Sequence, residues 1–149
     1  MVSFNTDMAA IYAETGRFSE AEEVYKEDMQ IGIDKGDKKI IADSYNDLGS
    51  IQMYRGEFFK ASANFEKALN LHKELKNVSG ISQSFGNLGI VEYKHANYEK
   101  AMEYYELQLK YVMEMDDNEL EAGIYERMGL IKYSLGEYQE ALELYQRKI

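Results

Sequence analysis

The sequence predicts an all-α fold built as a solenoid of antiparallel helix pairs. Three observations predict it. The chain repeats itself every 40 residues without an insertion or deletion. Within each repeat, apolar residues recur at spacings of three and four, break at a small polar turn, and resume. Proline is absent from all 149 residues, and proline costs about 3 kcal/mol inside a helix. A period between 20 and 50 residues marks stacked units.

Set in rows beginning at Met1, Ile41, Ile81 and Glu121, the chain aligns column by column. Column 21 reads Ala21, Ala61, Ala101 and Ala141. Column 9 reads Ala9, Gly49, Gly89 and Gly129, and column 25 reads Tyr25, Phe65, Tyr105 and Tyr145. Column 16, a turn position, reads Gly16, Gly56, Ala96 and Gly136. Columns 2 to 15 form a first helix, as in "ADSYNDLGSIQMY". Column 16 supplies the left-handed residue with which helices commonly end. A longer second helix starts near column 17. The polar links "KGDKK", "KNVSG" and "MDDNE" join one repeat to the next.

Small residues at columns 9 and 21 let paired backbones approach closely. A mid-helix glycine costs about 1 kcal/mol relative to alanine, so glycine recurring at column 9 signals a packing need. Aromatic residues at columns 5, 18 and 25 fill the space beside each approach. One helix pair cannot cover its own apolar faces, and stacking pairs buries them. The domain reading is therefore a single solenoid spanning 1–149, with repeats 1–40, 41–80, 81–120 and 121–149, the last cut short.

Composition narrows the function. Lys and Arg total 17 against 27 Asp and Glu, a formal charge of −10. That sign opposes nucleic acid and anionic membranes, since phosphate binding needs a cationic face, and it steers basic segments inward. No apolar run approaches the roughly 20 residues of a membrane span, and "MVSFNTDMAA" lacks the features of a signal peptide. The absence of cysteine excludes disulfides and thiolate metal sites and fits a cytoplasmic protein. His72 and His95 stand on different helices and are expected at the surface, not in a metal or catalytic site. Adjacent acids such as Asp116 and Asp117, or Glu22 and Glu23, are expected to be solvated. No phosphate loop, nucleophile elbow or calcium loop occurs. No cofactor is expected, and an enzyme is disfavoured.

The motifs "YNDLG" with "GEFFKASANFEKA", "FGNLG" with "ANYEKAMEYY", and "YERMG" with "GEYQEALELY" resemble the tetratricopeptide repeat (TPR) pattern over essentially the whole chain. That resemblance implies a right-handed superhelix with a concave groove that receives extended peptides or partner helices. The 40-residue period is longer than the family's common one and is similar to that of spindle-orientation adaptors and bacterial peptide-sensing regulators. Two further departures stand out. The repeat-end proline is missing. At column 12, where the family has tyrosine, only Tyr12 conforms, the others being Gln52, Glu92 and Lys132.

At about 100° per residue, columns 5, 8, 9 and 12 share one side of the first helix, while columns 3, 6, 10 and 13 share another, with 7 and 14 at its edge. The resemblance makes the second side the groove lining. The candidate peptide-binding residues are then Asn46, Ser50, Gln83, Asn87, Tyr93, Lys94, Arg127, Leu130 and Tyr133. An asparagine can donate to and accept from a peptide backbone at once, and a tyrosine can flank a side-chain pocket. Ser50 and Ile90 stand where the chaperone-binding members place asparagine, so chaperone-tail capture is not expected.

The expected role is a non-catalytic peptide- or protein-binding scaffold. The alternative is a sensor domain of a larger signalling or transcription regulator. The second helix of repeat four ends early and has no polar capping helix after it. This suggests a fragment whose Leu142, Tyr145 and Ile149 form an open face prone to self-association.

Overall fold

The computed structural model describes the backbone of residues 2–147 and the side chains of residues 5–147. Among the described residues there are eight helices and no strand. They are α1 (Val2–Glu14), α2 (Phe18–Lys35), α3 (Lys38–Tyr54), α4 (Phe58–Glu74), α5 (Val78–Lys94), α6 (Tyr98–Met115), α7 (Asn118–Ser134) and α8 (Tyr138–Arg147). Each repeat supplies one pair, as the periodicity predicts. The chain forms two compact units, Met1–Gly80 and Ile81–Ile149. Their border falls at the junction of the second and third repeats.

The turn within each pair has one chemistry. Gly16, Gly56 and Gly136 have φ of 75°, 78° and 78°, and Ala96 takes 60° in the same column. Two backbone bonds close each turn. In the second repeat Gly56 N donates to Met53 O at 3.0 Å and Glu57 N to Gln52 O at 2.8 Å. The third repeat matches it, with Ala96 N to Tyr93 O and Asn97 N to Glu92 O, both at 2.9 Å. These six-to-one and five-to-two bonds satisfy carbonyls that the helix end orphans. The links between repeats also pass through left-handed residues, Gly36, Lys76 and Asp116. The helix that follows is then capped by a side chain. Asp37 Oδ1 accepts from Lys39 N at 3.0 Å and Ile40 N at 3.2 Å, and Asp117 Oδ1 accepts from Leu120 N at 3.0 Å. Asn77 Oδ1 accepts from Gly80 N at 3.2 Å.

Packing within each pair follows the column 9 and column 25 rule. A Cβ placed on Gly49 would stand 2.6 Å from the Phe65 ring, and one on Gly89 would stand 2.6 Å from Tyr105. On Gly129 it would stand 2.7 Å from Tyr145. The missing side chain is the space the aromatic ring occupies. Ala21, Ala61, Ala101 and Ala141 are all buried. The core of the first unit gathers Ala9, Ala21, Val24, Tyr25, Leu48 and Ile51. That of the second gathers Ala101, Tyr105, Val112, Ile124, Tyr125, Met128 and Ile131. Burying one such aliphatic or aromatic side chain contributes about 1.5–3 kcal/mol.

Column 12 is filled by polar pairing inside each hairpin. Asn64 Nδ2 donates to Gln52 Oε1 at 2.8 Å, and Asn97 Nδ2 donates to Glu92 Oε2 at 2.8 Å. Lys132 Nζ stands 2.6 Å from Glu137 and 2.8 Å from Glu140, and these bonds push the ammonium up to about 12. Where Tyr12 is retained, the Arg17 guanidinium lies 4.5 Å from its ring centroid.

Candidate peptide-binding faces

In the first unit, Asn46 and Ser50 both lie on α3. Asn46 is only 2% exposed, and the Ser50 hydroxyl, half-buried, donates to its carbonyl oxygen at 3.0 Å. Around them the unit is acidic. Asp28, buried on α2, accepts from Asn5 Nδ2 at 3.0 Å and Thr6 Oγ1 at 3.4 Å. This pairing explains why Asn5 replaces the aromatic of the other repeats. Asp43 accepts from Lys39 Nζ at 2.7 Å. Burial, reinforced by the charges of Asp43 and Asp28, pushes the Asp47 carboxyl up to about 7. It therefore titrates near neutrality, which no column of the sequence signals.

His72 departs from expectation. It is fully buried, at 0% exposure, not at the surface. Column 32, where it stands, holds the buried Gly32 and Val112 in neighbouring repeats, so the imidazole takes a core position. Gly80 makes room, since a Cβ there would sit 2.3 Å from Nδ1. Asn77 Nδ2 is 3.3 Å from Nδ1, and the Asp43 carboxylate lies 3.6 Å from Nε2, which has no hydrogen-bond partner. Burial lowers the pKa of the ring, opposed by the Asp43 charge. His95 is exposed as expected.

In the second unit, α5 and α7 carry the remaining candidates. Gln83 and Lys94 are exposed and Asn87 and Tyr93 are half-buried on α5. The Tyr93 ring packs on Tyr98, with centroids 5.6 Å apart. Arg127, Leu130 and Tyr133 are exposed on one face of α7, Leu130 at 42% and Tyr133 at 58%. The Tyr133 ring is steadied by Tyr138 at 5.4 Å, which leaves its other surface open. A flat ring, an aliphatic side chain and a guanidinium on one helix face can bury an apolar side chain and pair a carboxylate together. Of the residues expected on the open face of α8, Leu142 is exposed, Tyr145 is half-buried beneath Gly129, and Ile149 lies outside the described residues.

No helix among the described residues is long and apolar enough to cross a membrane. No curated protein matches the sequence. Solved structures similar to the chain include BtubC (BKLC) from P. vanneervenii, 21% identical with a TM-score of 0.85, matched over 99% of this chain and 61% of that one. Aspartyl phosphate phosphatase F from Bacillus subtilis is 16% identical with a TM-score of 0.92, over 99% of this chain and 39% of that one. A signal transduction ATPase (STAND) protein with a tetratricopeptide repeat sensor, from Pyrococcus horikoshii, is 19% identical with a TM-score of 0.87, over 97% and 22%. At these identities the likeness is one of fold, and the chain spans 61% or less of each of these three. Models described as tetratricopeptide repeat match residues 6–39 and 40–109. With the helix pairs, left-handed turns and small-on-aromatic packing described above, these matches establish that the chain belongs to the tetratricopeptide repeat family, a fold that generally mediates protein–protein interactions.

Proposed function

We propose that the chain is a non-catalytic binding module in which the four repeats act as one domain that captures a peptide or protein segment in the cytoplasm. The observation that carries this reading is the face of α7, where Arg127, Leu130 and Tyr133 stand exposed on a rigid helix whose opposite side is already packed. Aromatic and arginine side chains presented in this way are the types that anchor interfaces. Gln83, Asn87, Tyr93 and Lys94 on α5 would supply polar contacts to a bound backbone. Asn46 and Ser50, given their burial, would serve by holding the α3 wall. The charge of −10 disfavours nucleic acid as the partner. Self-association through α8, whose Leu142 and Tyr138 are exposed, is a further use of an apolar surface.

The test is affinity capture from the source cell with the chain and with an Arg127→Ala/Tyr133→Ala variant, both on solvent-facing sites where folding is preserved. Loss of specific partners from the variant is expected. Recovery of the same partners by both proteins would defeat the assignment of this face.

A second reading, a ligand-sensing segment of a larger regulator, draws on the STAND protein's repeat sensor and on the small share of that chain, 22%, that this sequence spans. An output domain encoded in the same reading frame would favour it.

A further inference from the structure

Another surface of the Ile81–Ile149 unit lies behind α7. Met128, Ile131, Lys132 and Leu135 lie about 100° or more around α7 from Leu130 and Tyr133, at 3.6 residues per turn. They floor a cleft between α6 and α8. Two adjoining cavities, of about 320 and 370 Å³, share Met102, Glu106 and Lys132. The apolar lining also includes Leu144. Glutamates form the rims, Glu99, Glu103 and Glu106 on α6, with Glu137, Glu140 and Glu143 opposite. The cations present are already engaged. Lys132 is held by Glu137 and Glu140, and the Arg147 guanidinium lies 5.6 Å from the Tyr125 ring centroid.

The Met1–Gly80 unit shows what the same cleft looks like when filled from within. There Arg55, at column 15, crosses from α3 to α2. Its guanidinium pairs with Glu22, donates to Ser19 Oγ at 3.2 Å and lies 3.6 Å from Glu57 at the head of α4. Lys26 reinforces it, 2.6 Å from Glu22. In the second unit the corresponding columns hold Leu135 for Arg55, Glu99 for Ser19, Met102 for Glu22, Glu106 for Lys26 and Glu137 for Glu57. The cations of columns 15 and 26 are lost, and Lys132 in place of Gln52 engages only Glu137 and Glu140. Glu99 and Glu106 are gained along α6, beside a methionine floor that adapts to varied side chains.

We propose that the α6–α7–α8 cleft docks a lysine- or arginine-bearing peptide segment, whose cation takes the place that Arg55 fills in the first unit while a neighbouring apolar residue rests on Met102 and Leu144. The acidic rims supply charge complementarity, and the net charge of the chain raises the encounter rate. This surface is separate from the α5 and α7 face proposed above.

A fluorescein-labelled peptide of alternating arginine and leucine, followed by anisotropy, tests it. Leu135→Arg installs the internal cation and should weaken binding about tenfold, as should Glu103→Lys/Glu106→Lys. Glu114→Lys, a charge reversal on α6 outside the cleft, should change affinity by less than about twofold. The same peptide with serine for leucine should bind more weakly. Circular dichroism verifies that each variant is folded, and Glu103→Gln/Glu106→Gln replaces any that is not. The proposal is overturned by absence of binding, by equal affinity of Leu135→Arg or the glutamate variants, or by equal loss with Glu114→Lys. A dimer seen in sedimentation that Leu135→Arg dissolves would make a second copy the occupant and overturn it too.

Discussion

Across columns 12, 15, 28 and 32, the Met1–Gly80 unit carries Gln52, Arg55, Asp28 and His72, and the Ile81–Ile149 unit carries Lys132, Leu135, Gln108 and Val112. In the first unit Gln52, Arg55 and Asp28 each meet a polar partner from another element of the same unit. In the second, Val112 is ordinary core, Leu135 is exposed and Gln108 Oε1 is buried without a hydrogen-bond partner. Columns 9, 16, 21 and 25, by contrast, are filled alike in both units. The shared fold therefore resides in one set of columns and the polar chemistry particular to each unit in another, and the two can be altered separately.

The sharpest way to break this division is to remove an aromatic from column 25. Phe65→Ala and Tyr105→Ala each empty a fully packed site and should cost about 3–5 kcal/mol. Urea unfolding should give the two losses within about 1 kcal/mol of one another, and unequal losses would show that the column is not equivalent in the two units.

Titration comes next and should act on the first unit alone. Asp47, raised to about 7, binds its proton more tightly folded than unfolded, so stability is lost as pH rises from the ordinary aspartate range to about 7. Asp47→Asn should stabilise by roughly 1–3 kcal/mol at about pH 8 and by little at about pH 4. His72 has the opposite sign. Its depressed folded pKa makes stability complete above the ordinary histidine value and lost as pH falls below it, so His72→Gln should flatten that acid limb. Unfolding midpoints across pH measure both, and an Asp47→Asn effect constant with pH would remove the carboxyl from the account.

The turns offer a smaller test. Ala96 holds a left-handed conformation that glycine holds in the other repeats. Ala96→Gly should raise stability by about 1 kcal/mol and Gly56→Ala should lower it by a similar amount. Thermal unfolding reads both, and a loss from Ala96→Gly would contradict the shared turn geometry.

The smallest effect is expected at Arg55. It is partly exposed, so Arg55→Leu should change stability by only about 0.2–1 kcal/mol. The same variant should give the first unit affinity for the arginine–leucine peptide, which ties the stability series to the cleft.

The repeat, the turns and the small-on-aromatic pairing were legible in the sequence because each is an intrinsic demand of one column. A glycine opposite an aromatic, or a left-handed residue after a helix, can be read without knowing its neighbours. The partners of Gln52, Glu92 and Lys132 were not legible, since they stand beyond the turn and not at one column: Asn64 on α4, Asn97 just before α6, and Glu137 and Glu140 just before and on α8. The burial of His72 was missed because residue type alone argued for the surface, and that of Asn46 because helical phase and the family resemblance put column 6 on the groove side. Gly32 and Val112 in the histidine's own column were the available signal. The cleft behind α7 needed Leu135 to be compared with Arg55, and that comparison has meaning only once both helices are in place.

Each hairpin turn, like the links at Gly36 and Lys76, is closed by backbone bonds that span five residues or fewer, for example Glu57 N to Gln52 O. Little chain entropy opposes such closure, and a topology made of near-neighbour contacts folds quickly for its size. Any hairpin can serve as the starting point, from which order spreads outward in both directions. The route by which this chain reaches its native state is thus set by where its local closure is strongest, and strengthening a single turn should redirect it.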